Sequence, residues 1–495
     1  MCSRRRRRAR KRRESKTDMR NLTMMTDLYQ LTMMYGYFRE KTHENIAVYD
    51  VFFRKGAGES KYAVFAGLEQ VMEYINNLHF SAEDIDYLRT LNLFDEDFFE
   101  YLRDFRFTGE IYAMPEGTVV FPYEPLIRVR APIAQAQLIE TAMLNIINHQ
   151  TLIATKASRV CHAAEGGAVL EFGLRRAQGP DAGIYGARAA IIGGCNTTSN
   201  VLTTQMFGGV PAGTHAHSWI MSFDSELQAF RAYAEVFPQA CLLLVDTYDT
   251  LGSGVPNAIT VFKELREKGY EPMGIRLDSG DLAYLSRMAR KMLDEAGFPD
   301  AKICASSDLD EAIIRDLRNQ GACIDTWGVG TKLITSENCP ALGGVYKLAA
   351  IERHGKMQPR IKISENFWKI TNPGLKKVVR IYDGNTHKSI ADLIMLEHES
   401  IDTQHPLTIF DPVETWKRMT ITNYYIKELL VPVFQEGKQV YQSPGMMASR
   451  EYAKQDLETF WDEYKRPYRP HIYKVDLSQE LFELKHELLS QTTWH

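Results

Sequence analysis

A pattern of short apolar runs separated by helical segments recurs along the middle of the chain and constrains its fold more than any other feature. Several of these runs start about 20 to 32 residues apart, which is the length of one β–α unit. The runs occupy residues 169–172, 242–245, 273–277, 302–305, 323–327 and 344–348. The repeat predicts an α/β fold whose parallel strands close into a parallel α/β barrel, with an open doubly wound sheet as the alternative.

The sequence on either side of this repeat has a different spacing of apolar residues. From residue 19 to 150, helical patterns (27–38, 62–78 and 82–91) mix with strand-like alternation (47–53 and 109–121). After residue 365, we expect a hairpin around 383–385 and amphipathic helices near 448–465 and 477–489. The sequence therefore predicts an N-terminal α+β domain (19–150), a barrel domain (151–365) and a C-terminal segment (366–495) that packs back on the body.

Composition argues against a membrane-spanning chain and against a disulfide-stabilised one. The 495 residues are 44% hydrophobic and 25% charged, as in ordinary globular proteins. The longest apolar runs, such as residues 241–245, are far shorter than the roughly 18 residues of a membrane helix. The seven cysteines are scattered without a Cys-x-x-Cys pair, which indicates a cytoplasmic protein without a structural zinc site.

A basic, disordered leader is predicted over residues 1–18. It contains ten Lys and Arg and has a net charge of +8, whereas the whole chain carries −4. Such a run repels itself, and similar runs bind nucleic acid or anionic membranes. It lacks the apolar segment of a secretory signal and the spaced apolar positions of a transit helix. We interpret it as an incidental extension and expect no nucleic-acid or membrane partner, because the rest of the chain is acidic.

Polar residues follow the predicted strands at the points where their carboxyl ends would meet. They occupy residues 173–176, 246–249, 278–281, 306–308 and 328–331. Ligands of parallel α/β proteins bind at this edge of the sheet. Glycine-flanked loops expose backbone N–H groups suited to phosphate, and the aspartates suit Mg²⁺ on a pyrophosphate. Arg175, Arg176 and Arg276 supply planar guanidinium groups for a carboxylate or a phosphate.

Two histidines, His215 and His217, lie where a strand is expected to give way to a helix. Residues two apart on a strand face the same way, so the pair resembles the paired metal ligands of amidohydrolase-like barrels. A metal-dependent hydrolase needs further histidines from later strands, whereas the later strands here end in Asp, Ser, Gly and Arg. The hydrolase stays an alternative at this point, as does a catalytically silent barrel that acts as a scaffold.

Six motifs in order resemble those of the nicotinate phosphoribosyltransferase family. They are TDLYQL (26–31), EFGLRRAQG (171–179), GTHAHS (213–218), DTYD (246–249), RLDSGD (276–281) and GVGT (328–331). The resemblance runs from about residue 19 to the C-terminus. It implies a type II phosphoribosyltransferase-like parallel α/β barrel, with an additional α+β domain built from the N- and C-terminal segments.

The resemblance also implies a reaction in NAD salvage. Nicotinate, 5-phosphoribosyl 1-pyrophosphate, ATP and water would give nicotinate mononucleotide, pyrophosphate, ADP and phosphate. Mg²⁺ would be the cofactor, ATP a co-substrate and a homodimer the assembly. The chain has no Gly-x-x-x-x-Gly-Lys-Ser/Thr loop, so ATP would share the phosphate site built by the barrel loops.

Each motif residue takes a role from the same resemblance. His217 would be the histidine that ATP phosphorylates, and the other catalytic residues would be Asp246, Asp278 and Arg276, with the two aspartates binding Mg²⁺. The residues expected to bind nicotinate are Tyr29 (from the neighbouring subunit), Phe172, Arg175, Thr214 and Arg276. Those expected to bind phosphates are Ser218, Ser279, Gly280, Gly328, Gly330, Thr331, Gly343 and Gly344. His215 receives no role.

Nicotinamide phosphoribosyltransferase is the nearest enzyme alternative, because it shares the fold and many of the motifs. In the related sequences, an Asp at the position of Asn196 accompanies use of the neutral amide. An added carboxylate would repel nicotinate, whereas the carboxamide of Asn196 would tolerate it. We therefore expect nicotinate to be the substrate.

Overall fold

The computed structural model describes residues 21–58 and 60–491, so the predicted basic leader lies outside the described residues. The helices are α1 (Leu28–Arg39), α2 (Leu68–Asn76), α3 (Ala82–Thr90), α4 (Glu96–Arg103), α5 (Ile133–Leu138), α6 (Glu140–Ala163), α7 (Pro180–Ile192), α8 (Val201–Phe207), α9 (His217–Met221), α10 (Glu226–Val236), α11 (Val255–Glu267), α12 (Leu282–Glu295), α13 (Glu311–Asn319), α14 (Thr331–Ile334), α15 (Met446–Glu458), α16 (Asp462–Lys465) and α17 (Gln479–Ser490). The strands are β1 (Ile46–Phe53), β2 (Ala63–Val64), β3 (Glu110–Ala113), β4 (Val119–Val120), β5 (Ile127–Pro132), β6 (Ala168–Glu171), β7 (Thr197–Thr198), β8 (Leu242–Leu244), β9 (Gly274–Leu277), β10 (Lys302–Ser306), β11 (Thr326–Val329), β12 (Gly344–Arg353), β13 (Lys356–Pro359), β14 (Lys376–Asp383), β15 (Ser389–Leu396), β16 (Leu407–Phe410), β17 (Arg418–Ile421), β18 (Tyr424–Glu428), β19 (Val431–Gln435), β20 (Lys438–Gln439) and β21 (Lys474–Leu477).

The repeat in the middle of the chain forms a six-stranded parallel sheet. Its order is β7-β6-β11-β10-β9-β8, and every neighbouring pair is parallel. Five of the six predicted apolar runs lie in this sheet. Most residues of β9 and β10 are buried, as expected of parallel strands that are covered on both faces. The predicted α/β class is confirmed, and closure of the sheet into a barrel stays a prediction.

The sixth apolar run, at 344–348, does not join the parallel sheet, so that part of the sequence interpretation is wrong. It begins β12, which pairs antiparallel with β1 and places Tyr346 opposite Val51. An apolar run shows that a strand is buried, but it carries no information on which strand lies beside it or in which direction. Residues 344–359 of the predicted barrel segment (151–365) therefore belong to a second sheet.

This second sheet is antiparallel and has the order β13-β12-β1-β5-β3-β19-β20. It combines strands from the N-terminal part of the chain with strands that follow residue 343. In its core the rings of Tyr49 and Tyr346 stack with their centroids 4.6 Å apart. Segment 62–78, predicted as one helix, is instead β2 followed by α2, since Gly67 has a φ of 107° that interrupts a helix.

The predicted hairpin around residues 383–385 is present between β14 and β15, in a four-stranded sheet of order β18-β14-β15-β21. Among the described residues, no helix combines the length and the apolar character needed to cross a membrane.

Helix α6 joins the two main cores. Met143 and Ile147 in its first half pack in the core of the antiparallel sheet, whereas Ile153 and Ala157 in its second half pack in the core of the parallel sheet. The domain boundary predicted between residues 150 and 151 thus falls inside one continuous helix. The two cores therefore share this helix.

A buried ion network links the parallel sheet's helices to the N-terminal part of the chain. Arg188 of α7 is fully buried and pairs with Glu116 at 2.6 Å and with Glu69 of α2 at 2.5 Å. Glu116 also accepts the N–H of Gly67 at 2.6 Å. Removal of one partner from a buried pair of this kind leaves an uncompensated charge, so the Arg188–Glu116 contact favours the observed position of α7.

Candidate active site

The carboxyl ends of β8, β9 and β10 bring one cluster of polar side chains together. Asp246 follows β8, and its Oδ2 accepts hydrogen bonds from the N–H of Asp278 and the hydroxyl of Ser279, each at 2.7 Å. Asp278 follows β9, and its Oδ1 accepts a hydrogen bond from the hydroxyl of Ser306, the last residue of β10. Because the three strands are parallel neighbours, both predicted aspartates lie at one edge of the sheet.

Asp246 has one unused carboxylate oxygen. The residue is only 9% exposed, and its Oδ1 has no hydrogen-bond partner among the described residues. A buried anionic oxygen without a donor is costly unless it faces a ligand. Two carboxylates beside hydroxyl groups suit Mg²⁺, which keeps several waters and completes its shell with substrate phosphates.

The donor set fits a Mg²⁺ that arrives with a pyrophosphate better than the metal cage of an amidohydrolase-like hydrolase. Such a cage needs several protein side chains that converge on one point. In the described part of the chain, no group of three or more His, Cys, Asp or Glu side chains is placed to hold a metal ion.

The guanidinium of Arg276 is fixed by three hydrogen bonds. Its Nε donates to the Ser306 hydroxyl at 3.0 Å, one Nη to the carbonyl oxygen of His215 at 3.3 Å, and the other Nη to Asp278 Oδ1 at 3.4 Å. The side chain is 16% exposed. A guanidinium carries five N–H groups, so this arrangement leaves donors on both terminal nitrogens for a planar anion.

His217 is the first residue of α9, and its imidazole faces the same cluster. Nδ1 lies 3.1 Å from the hydroxyl of Thr247, and Nε2 lies 3.6 Å from Asp278 Oδ2. The side chain is 38% exposed, so a ligand can reach it. The preceding residue, Ala216, has an extended backbone, which turns the chain into the helix at this point.

His215 faces away from that cluster and is buried. Its Nε2 accepts a hydrogen bond from the backbone N–H of Leu244 in β8 at 3.3 Å, and its ring packs edge-on against Tyr233. Burial lowers the pKa of His215 to about 4, so the imidazole is neutral near pH 7. The two histidines therefore do not converge on one ligand, although they are two residues apart.

The turn after β6 holds Phe172, the predicted ring-binding aromatic residue. The preceding Glu171 is fully buried, and its carboxylate accepts hydrogen bonds from the N–H of Gly173 and, at 2.6 Å, from the hydroxyl of Thr198. Burial raises the pKa of Glu171. A Cβ at Gly328 would lie 2.7 Å from the Phe172 ring, so a glycine at that position makes room for the aromatic side chain.

Comparison with known proteins gives the family. The chain matches the nicotinate phosphoribosyltransferase (NAPRTase) N-terminal domain over residues 24–148 and the C-terminal domain over residues 375–485. It is 50% identical to nicotinate phosphoribosyltransferase of Bacillus subtilis over 95% of this chain and 96% of that protein. The chain belongs to the nicotinate phosphoribosyltransferase family.

Two further comparisons agree with this family. The chain is 38% identical to nicotinate phosphoribosyltransferase of Dictyostelium discoideum over 94% of this chain and 88% of that one. The crystal structure of human nicotinic acid phosphoribosyltransferase superposes with a TM-score of 0.81 at 30% identity, covering 94% of this chain and 99% of that one. The family predicted from six motifs is confirmed over nearly the whole chain.

The phosphate residues predicted from the nicotinate phosphoribosyltransferase motifs fall into two sets. Ser279 and Gly280 form the turn after β9 beside Asp246, while Gly330 and Thr331 connect β11 to α14. Gly343 and Gly344 instead lead into β12, and the Gly344 N–H donates to Asn148 Oδ1 at 3.1 Å. Because this N–H already donates to Asn148, its binding to a phosphate stays a prediction that requires Asn148 to release it.

Three further predicted residues of the family motifs border the cluster or the Phe172 turn. Arg175 is exposed in the short 3₁₀ turn Leu174–Arg176 that follows Phe172. Thr214 donates to the carbonyl oxygen of His215 at 3.3 Å. Ser218 is exposed and follows His217 in α9.

Tyr29, the aromatic residue of the family's first motif, lies elsewhere in the chain. It is 47% exposed on α1, where its electrostatic neighbours are Glu140 and Asp27 rather than residues at the strand ends. The structure of a single chain therefore does not bring Tyr29 to the cluster.

Asn196, on which the nicotinate prediction depended, bonds to the backbone of β6. Its Oδ1 accepts the N–H of Val169 at 2.9 Å, near the amino end of β6. The candidate site lies at the carboxyl ends of the strands, where Thr198 bonds to Glu171. The role of Asn196 in the choice between nicotinate and nicotinamide stays a prediction.

Sequence reasoning placed Thr247 and Ser306 among the polar residues at the strand ends and Glu171 in a motif, but it gave them no role, and it missed Thr198. Thr247 contacts His217, and Ser306 bonds to both Arg276 and Asp278. Each of these residues lies at the carboxyl end of a strand, and that position was the signal that could have identified them.

Proposed function

We propose that the protein transfers the phosphoribosyl group of 5-phosphoribosyl 1-pyrophosphate to nicotinate and couples the transfer to ATP hydrolysis. The products are nicotinate mononucleotide, pyrophosphate, ADP and phosphate. The observation that carries the proposal is the cluster of Asp246, Asp278, Arg276 and His217 at one sheet edge, in a chain 50% identical to a nicotinate phosphoribosyltransferase. Neither nicotinamide phosphoribosyl transfer nor metal-dependent hydrolysis is favoured by these relatives.

The aspartates supply negative charge where the ribose develops positive charge. Cleavage of the bond between the anomeric carbon and pyrophosphate gives the sugar oxocarbenium character, which preorganised carboxylates stabilise. Asp246 is preorganised by its two donors, Asp278 N–H and the Ser279 hydroxyl, and its second oxygen is free to face the ligand. Mg²⁺, when bound with the substrate, supplies charge neutralisation for the leaving pyrophosphate, and Asp246 and Asp278 would hold it.

Arg276 is the residue that we assign to the carboxylate of nicotinate. Its three protein hydrogen bonds fix the guanidinium plane, and the remaining N–H groups suit a bidentate contact with a carboxylate. Phe172 would stack on the pyridine ring, supported by the buried Glu171 and by the space that Gly328 leaves. Arg175 and Thr214 would border the same ring.

His217 is proposed to accept the phosphoryl group of ATP. Its imidazole is exposed and contacts both Thr247 and Asp278, so a proton on Nε2 has a nearby carboxylate acceptor. A phosphoryl group on this residue would place a dianion beside the pyrophosphate site and change ligand affinity there. The proposed phosphate contacts are Ser218, Ser279, Gly280, Gly328, Gly330, Thr331, Gly343 and Gly344.

We also infer that the parallel sheet closes into a barrel and that two chains complete the site. The edge strands β7 and β8 are bridged by the segment between them, because the Ala212 N–H donates to Thr198 O at 3.0 Å and His215 accepts from Leu244. For the second inference, Leu28, Tyr29 and Met33 are exposed on α1 and offer an apolar surface to a second copy. A homodimer would then bring Tyr29 to the partner's site.

The six described cysteines are free thiols, which supports a reducing compartment such as the cytoplasm.

The decisive assay measures mononucleotide and pyrophosphate formation from 5-phosphoribosyl 1-pyrophosphate and Mg²⁺. Nicotinate and nicotinamide are compared, each with and without ATP. We expect product that depends on nicotinate and is stimulated by ATP. Preference for nicotinamide would overturn the substrate assignment, and absence of product with both would overturn the proposed reaction.

A further inference from the structure

Strand β8 is an edge of the parallel sheet, and one of its buried backbone donors has an unusual acceptor. On one side β8 pairs with β9, where the N–H of Val245, the residue after the strand, donates to Arg276 O at 3.1 Å. Backbone donors alternate along a strand, so the Leu244 N–H points to the other side. That N–H donates to Nε2 of His215 at 3.3 Å, and Leu244 is fully buried.

The imidazole thus satisfies a donor that would otherwise be buried without a partner. An orphaned backbone N–H costs as much as a lost hydrogen bond. Nε2 must be unprotonated to accept, and burial lowers the pKa of His215 to about 4, which keeps the ring neutral near pH 7. Tyr233 at 4.7 Å and Phe230 at 6.4 Å between ring centroids hold the ring from α10.

The backbone of the same residue reaches the candidate active site. The carbonyl oxygen of His215 accepts a hydrogen bond from Arg276 at 3.3 Å. Two residues further along, His217 contacts Thr247, which lies just beyond the end of β8. A displacement of His215 would therefore move both the guanidinium and the proposed phosphorylated histidine.

We propose that His215 is a positioning residue, whose imidazole hydrogen-bonds the edge strand β8 and thereby holds Arg276 and His217 in place. The expected effect of His215 on nicotinate and ATP kinetics rests on the proposed function, whereas its expected effect on the hydrogen bonding of β8 does not. His215 contacts neither substrate nor cofactor in this proposal. Its Nε2 accepts a hydrogen bond from β8, and its carbonyl oxygen accepts one from Arg276.

The test compares His215→Phe with His215→Gln in the full-length protein. Phenylalanine keeps the aromatic packing against Tyr233 but has no acceptor, while the side-chain oxygen of glutamine accepts a hydrogen bond. His162→Phe, at the end of α6, is the matched control. Hydrogen exchange followed by mass spectrometry reports on the peptide that contains Leu244, and steady-state kinetics report on nicotinate and ATP.

We expect His215→Phe to speed exchange in the Leu244 peptide by about tenfold, as loss of one buried hydrogen bond would. We also expect the KM for nicotinate to rise by about tenfold and ATP stimulation to fall, while the KM for 5-phosphoribosyl 1-pyrophosphate changes less. His215→Gln should recover most of both effects.

Unchanged exchange and unchanged nicotinate KM in a folded His215→Phe protein would overturn the proposal. If His215→Phe does not fold, the test uses His215→Gln alone. Hydrogen exchange of the Leu244 peptide in His215→Gln that is as slow as in the wild type supports the acceptor role of His215, and faster exchange contradicts it. Failure of the proposed function is distinguishable, since the wild type would then make no product from nicotinate while the exchange comparison still tests His215.

Discussion

Asp246→Asn separates the charge of Asp246 from its structural role. The Asn side-chain oxygen can occupy the position of Oδ2 and keep accepting from the Asp278 N–H and the Ser279 hydroxyl, both now at 2.7 Å. We therefore expect the free energy of unfolding to change by less than about 1 kcal/mol. Asp246→Ala removes the acceptor, leaves the part-buried Asp278 N–H without its partner, and should cost about 1–3 kcal/mol.

The loss of charge sets the expected kinetic effect. A unit charge about 5 Å from a developing oxocarbenium ion, at an effective dielectric constant of about 20, contributes about 3 kcal/mol. Such a loss corresponds to a fall in kcat of about a hundredfold. The NH₂ group of Asn would also replace the unpaired Oδ1 at a proposed Mg²⁺ ligand, so the Mg²⁺ concentration for half-maximal activity should rise.

The assay is mononucleotide formation at saturating substrates across a Mg²⁺ titration, together with thermal unfolding. Asp300→Asn, a charge removal on the exposed surface, is the matched control and should retain full activity. An Asp246→Asn protein with kcat within about threefold of the wild type would refute the electrostatic reasoning. A large loss of stability in that variant would instead show that the carboxylate is needed for folding.

Other variants test the remaining assignments. His217→Asn should abolish ATP stimulation and phosphoprotein formation, and persistence of either would contradict the phosphohistidine assignment. Arg276→Lys keeps the charge but loses the planar fork, so kcat/KM for nicotinate should fall about 10- to 100-fold, and an equal rise in the KM for ATP would argue against a carboxylate contact. Arg188→Met leaves Glu116 buried without its partner and should lower the free energy of unfolding in urea by about 3–5 kcal/mol, whereas a loss below about 1 kcal/mol would show that the network contributes little. The pKa of His215 is lowered to about 4 from an ordinary value near 6.5, so the unfolded chain binds a proton first as pH falls. Between about pH 7 and pH 5, the free energy of unfolding of the wild type should therefore fall by up to about 2 kcal/mol more than that of His215→Gln. Equal losses in the two proteins would refute the pKa shift.

The candidate site was largely predictable from the sequence because its residues follow strands that recur at regular intervals. The sequence predicts Asp246, Asp278 and Arg276 at one edge of the sheet, and hydrogen bonds join all three. Ser306 and Thr247 occupy equivalent strand ends, but Ser and Thr at a strand end are common for structural reasons alone. Their roles became visible only through the contacts with Arg276 and His217.

The sequence by itself determined the α/β period, the polar strand ends and, through six motifs, the nicotinate phosphoribosyltransferase family. The tertiary structure decided that the run at 344–348 pairs antiparallel with β1, that the Gly344 N–H is taken by Asn148, and that Asn196 lies near the amino end of β6. It also placed two histidines of one motif in opposite environments, one buried against β8 and one facing the cluster. The local sequence pattern indicates which residues are buried and where turns form. Strand direction and hydrogen-bond partners depend instead on residues far apart in the chain, which only the packed fold brings together.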